Sequence, residues 1–158
     1  MSTYEWYLFG HLLGVFFLLA AAGASTAAGI VAGRTNSAAV VVTLLDLQRR
    51  SELYITSLGA ILVIVFGSLL VDEADFEFGD AWISAAYTLI IISLAIDHGF
   101  LMPRVRRARQ AAAALGPNAQ VTDEVRSMLN NPVMVGAGVL LDLLLIVFLW
   151  LMVAKPGA

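Results

Sequence analysis

Four long apolar runs, none containing a lysine or an arginine, constrain this chain more than any other feature. They are Trp6–Val31 (WYLFGHLLGVFFLLAAAGASTAAGIV), Leu53–Val71 (LYITSLGAILVIVFGSLLV), Ala81–Met102 (AWISAAYTLIIISLAIDHGFLM) and Pro132–Val153 (PVMVGAGVLLDLLLIVFLWLMV). A helix that crosses a bilayer needs about 20 mostly apolar residues, and each run supplies them. Backbone amides in lipid must be satisfied within the segment, and the alternation of a barrel strand is absent, so the spans are helices. The chain is 60% hydrophobic and 13% charged, against roughly a quarter charged in a soluble domain, and the apolar excess must face lipid. The expectation is an all-α, four-helix transmembrane bundle forming a single integral membrane domain over residues 1–158.

The charges are sorted along the chain. Arg34, Arg49 and Arg50 fall in the connection 34–52, and Arg104, Arg106, Arg107, Arg109 and Arg126 in the connection 103–131. The loop 72–80 is acidic, with Asp72, Glu73, Asp75, Glu77 and Asp80, and only Lys155 lies on its side. The positive-inside rule therefore puts both termini outside a bacterial cytoplasmic membrane, with Trp6, Trp82 and Trp150 at the outer interface. The segment ahead of the first run, MSTYEW, has an acid and no base, unlike the start of a signal peptide, so that run reads as a retained span. The stretch 36–50 reads as an amphipathic helix lying on the inner surface before span two. RVRRARQAAAAL and the segment after Thr122 read as short inner helices.

No cysteine is present, which excludes disulfides, thiolate metal sites and cysteine nucleophiles. The arginines have no interleaved aromatics to stack on bases, so they read as topogenic and lipid-attracting, with no nucleic acid as partner. Gly10 and Gly14 form a G-x-x-x-G pair on a span rich in small residues, which suits packing inside the bundle, a homodimer, or docking to other membrane subunits.

Ionisable groups inside the spans are functional candidates because each costs about 2.5–3.5 kcal/mol to insert. They are His11, Asp97, His98 and Asp142, and the two histidines are the only ones in the chain. At 1.5 Å per residue, His11 and His98 are separated by roughly 12–16 Å along the membrane normal, with Asp142 between them. That spacing opposes ligation of one haem iron by both. Asp142 at mid-depth admits a proton-relay reading, and His98, Met102 and Met134 admit a soft copper(I) site, although methionine in an apolar helix more often packs.

The landmarks GHLLGV, LQRRSELYI, DHG, NNP and LMVAKP, in this order, resemble a group of bacterial four-helix membrane proteins. The group includes the HemJ-type protoporphyrinogen oxidase, the copper-resistance D-type membrane domain, and a large set of predicted integral membrane proteins. The HemJ-type enzymes have Tyr-His-Gly where this chain has DHG, and the resemblance implies haem b with His11 and His98 as candidate ligands. The chain departs from those enzymes in carrying AAAGASTAAG where they have an aromatic and arginine-bearing stretch. The likeness to the wider set implies a fold with no reaction attached. The leading expectation is a non-catalytic membrane protein, an accessory or assembly subunit of a larger complex; the alternatives are a haem b redox protein and a route for copper or protons.

Overall fold

The computed structural model describes residues 1–157 as all-α, with four helices long and apolar enough to cross a membrane. Helix α1 is Thr3–Arg34, α2 Ala38–Arg50, α3 Ser57–Glu73, α4 Ala81–Leu94, α5 Met102–Ala114, α6 Asp123–Leu129 and α7 Pro132–Ala154. Two π-helical segments, Ser51–Thr56 and Ala95–Leu101, join α2 to α3 and α4 to α5. Ala38–Glu73 and Ala81–Ala114 thus run as continuous helices of 36 and 34 residues. Each is about 50 Å long, against a hydrocarbon core of about 30 Å, so both project well past the membrane at the arginine-bearing end.

That projection is longer than the apolar runs suggest, because nothing breaks the chain between Arg50 and Leu53. Pro103 does not break it either. It sits in the first turn of α5, directly after a π turn, where a missing backbone N–H is tolerated. At the start of the chain, Ser2 and Glu5 form a reciprocal capping box for α1. Asn131 caps α7 by accepting from the amides of Val133 and Met134, with Pro132 in the first turn.

The arginine end is a packed protein layer. Ala32, Val41, Leu45, Val105, Ala108, Ala112, Val125 and Leu129 form one buried cluster there. The sequence suggested that α2 rests its apolar face on the membrane surface; in the structure Val41 and Leu45 are buried in this cluster, where α2 packs against α1 and α5. Short polar ties fasten the layer. Asn130 donates to the Gly33 carbonyl, Arg126 to the Asn36 side chain, and the amide of Val121 to the Asn36 carbonyl.

Arg109 donates from Nε and Nη2 to the two oxygens of Asp46, each at 3.0 Å. These bonds hold the Asp46 carboxyl below its ordinary value of 3.8, helped by the nearby charges of Arg109, Arg50 and Arg49. A carboxyl whose value is lowered on folding stabilises above its unfolded value, and that contribution is lost as pH falls through the folded one. Asp46→Asn is expected to lower the melting temperature modestly at neutral pH, because the pair is partly exposed. The gap to the parent should close as pH drops below 3.8. Melting curves across that range check it; a gap that persists in acid contradicts it.

The opposite, acidic-loop end is closed by Val71, Trp82, Ile83, Ala86 and Leu151. Phe76 meets Trp82 edge-on at 5.4 Å, and the Lys155 ammonium lies 4.7 Å from the Phe76 ring centre. Between the two ends, α1 packs closely along α3 and α4 packs on α7, while α1–α7 and α3–α4 are thinly joined. The close pairing depends on glycine. A Cβ on Gly14 would stand 2.8 Å from Leu62 Cβ and the Val63 amide, and one on Gly10 would strike the Phe66 ring. These two glycines therefore pack against the chain's own α3.

Candidate functional site: carboxyl groups on two π turns

The loose fit of the two helix pairs leaves a cavity of about 840 Å³ that runs from Phe76 and Lys155 at one end to Arg34 and Asn130 at the other. Its wall is mostly apolar. Towards the arginine end, two polar rows line it. One helix presents Gln48, Glu52 and Thr56, and the other presents Ser93 and Asp97. Within each row the residues are four apart, the spacing that stacks side chains on one helix face. Glu52 and Asp97 both sit on the π segments, which occur mostly as local bulges and often at functional sites.

Glu52 is 7% exposed and tightly held. Its Oε1 accepts from Ser25 Oγ of α1 at 2.5 Å, and its Oε2 accepts from Thr56 Oγ1 at 2.8 Å. Asp97, 8% exposed, lines the same cavity as Glu52 from a second helix. Its Oδ2 lies 3.0 Å from His98 Nδ1, but the angle is poor, and that oxygen is left without a hydrogen-bond partner. Two unit charges at 4 Å interact by about 4 kcal/mol at an effective dielectric of 20. A proton or a cation close to both carboxyls would offset that repulsion. Residue 26, next to Ser25, continues the polar groups: Thr26 Oγ1 donates to Asp142 Oδ2 of α7 at 2.9 Å.

The sequence candidates separate into two groups. Asp97 and Asp142 both line the central cavity. His11 lines it as well, but its Nδ1 is engaged with the Val63 carbonyl at 3.2 Å, and the ring lies against Gly67, where a Cβ would come within 3.2 Å of it. His98 is 47% exposed and lines a different, smaller pocket of about 240 Å³ with Arg49, Met102 and Arg106. His11 and His98, the two haem candidates, thus line different pockets. Met102 and Met134 pack against the buried cluster at the arginine end, and they line different pockets. Among the described residues, no group of three or more histidine and acid side chains is arranged to hold a metal ion.

Glu52 is the residue that reading the sequence passed over. It follows two arginines at the edge of an apolar run and counts there as part of the connection. It lines both pockets, standing between the one beside His98 and the central cavity. The available signals were the hydroxyls of Ser25 and Thr26 in an otherwise small and apolar stretch, and the four-residue spacing from Gln48 to Thr56.

No curated protein matches the chain, and no solved structure does. A family model described as predicted integral membrane protein (DUF2269) matches residues 7–156, almost the whole length. The chain belongs to that family of integral membrane proteins.

Proposed function

We propose that this protein carries protons between the arginine end and its intramembrane cavity, in the cytoplasmic membrane of a bacterium, with the arginine end inside and both termini outside. The observation that carries this reading is the set of polar groups along the cavity: His98 against Asp97, Ser25 on Glu52, and Thr26 on Asp142 of α7. Hydroxyl groups both donate and accept, so Ser25 can serve Glu52, and Thr26 can serve Asp142, as a proton donor or acceptor. Intramembrane acids and histidines in series are the form that proton relays take. The orientation rests on the gathering of eight arginines at one end.

The test is proton flux into proteoliposomes that enclose a pH-sensitive dye, driven by an imposed potential. The protein should accelerate flux well beyond protein-free vesicles, and an equal rate in both would remove the reading. Thr26→Val keeps the shape and removes the hydroxyl that reaches Asp142. It is expected to slow flux about tenfold, equivalent to roughly 1.4 kcal/mol on the barrier; an unchanged rate takes Thr26 and Asp142 out of the path.

A second reading, an accessory subunit of a larger membrane complex, is favoured by α7. Of its residues only Leu151 is buried, and Leu140, Leu143, Ile146 and Trp150 face outward. Extraction into native lipid discs followed by mass spectrometry would recover a stoichiometric partner under this reading, and the chain alone otherwise.

A further inference from the structure

We propose that the central cavity binds a lipophilic cation, an organic molecule with its positive charge on an apolar body, in exchange for the proton held between Glu52 and Asp97. This rests on the proton-carrying reading and adds its co-substrate.

The cavity, about 840 Å³, is of the size that takes small molecules, and its wall is mostly apolar with a few convergent polar atoms. Those atoms specify the occupant. Gln48 Oε1 and the Ser93 hydroxyl are buried without partners, Asp97 Oδ2 meets only the His98 imidazole, and Gln48, Ser93 and Asp97 all line the cavity. Buried polar atoms are costly when unpaired, and acceptors call for a donor or a positive charge. The lining charges agree. The charged groups on its wall are three carboxyls, Glu52, Asp97 and Asp142, and two bases, Arg34 and Lys155, one near each end. A phosphate or carboxylate ligand would meet three acids, and a neutral alcohol would leave their charge uncompensated.

Aromatic rings complete the fit. Tyr87 and Phe148 line the cavity, and at its acidic-loop end the Phe76 and Trp82 rings already receive the Lys155 ammonium. The thin seams between α1 and α7 and between α3 and α4 give an occupant dissolved in the bilayer a way in.

The exchange balances. With a proton between them, the two carboxyls carry one negative charge in total. When the cation enters, the proton leaves by way of His98, and the total stays the same. The charged and titratable groups around the pair are His98 beside Asp97, Arg49 and Arg106 at the rim of the smaller pocket, Arg34 at the cavity's end, and Asp142 and His11 further along its wall.

The experiment is calorimetric titration of tetraphenylphosphonium into the full chain in lipid nanodiscs, near neutral pH, in buffers of different ionisation heat. Saturable binding with proton release is expected. Glu52→Gln should abolish the release and weaken binding about tenfold. Gln48→Leu removes a second buried acceptor and should also weaken binding. Binding no greater than to empty nanodiscs, or equal binding by Glu52→Gln that elutes as folded monomer, overturns the proposal. If cation binding is absent while parent proton flux persists, this inference fails alone. If the cation binds without proton release and flux is also absent, exchange is overturned together with the proton-carrying reading.

Discussion

Gly14→Val is expected to prevent α1 from seating on α3 and to leave little folded, monodisperse protein. At this position the two backbones touch: an added Cβ would stand 2.8 Å from the Val63 amide and 2.9 Å from the Gly59 carbonyl. Neither atom can rotate away, so the helices must separate. Overpacking in a core typically costs 1–3 kcal/mol, and a branched side chain against a helix backbone falls at the upper end. Separation would also carry His11 off the Val63 carbonyl and Ser25 off Glu52. Gly23→Val is the matched control, since nothing lies within 4 Å of a Cβ there. Detergent size-exclusion profiles and melting temperatures should separate the two variants sharply. Similar profiles would mean that α1 and α3 do not meet in this way.

The second large effect concerns chemistry rather than folding. Glu52→Gln keeps an oxygen that can accept from Ser25 or Thr56, so the bundle is expected to assemble. The amide cannot take up and release a proton, and flux through the reconstituted protein should fall about a hundredfold, within the range attributed to a positioned acid–base group. Glu52→Asp should restore part of the rate, because it keeps the acid and shortens its reach. Glu52→Leu behaves differently again. It strands the Ser25 and Thr56 hydroxyls and is expected to destabilise the protein by about 1–3 kcal/mol. A parental rate in Glu52→Gln would remove this carboxyl from the path.

The four spans could be read directly, because lipid enforces length and apolarity, and both are written in the residue order. The inner helices α5 and α6 were legible for a related reason: an alanine- and arginine-rich run and a Thr-Asp-Glu start are local signals. What α2 packs against was not legible. An amphipathic face reports that it will be covered and is silent on whether lipid or protein covers it; here Val105 and Ala108 of α5 do so. The π turns at Ser51–Thr56 and Ala95–Leu101 were hidden for another reason. Each changes the hydrogen-bond register without interrupting hydropathy, yet this is where Glu52 and Asp97 are carried. His11 and His98 line different pockets. That Glu52 and Asp97 line one cavity depends on two helices distant in sequence, which no single stretch announces.

The chain contains no cysteine, so introduced thiols are the only ones to react. The most direct measurement is therefore cross-linking of the double variant Glu52→Cys, Asp97→Cys in membranes with a short bifunctional thiol reagent, with His11→Cys, His98→Cys as its counterpart. Efficient bridging between positions 52 and 97, with none between 11 and 98, is the predicted result. Bridging of 11 to 98, or none between 52 and 97 when single thiols at both positions react, would contradict a carboxyl pair at the head of the cavity.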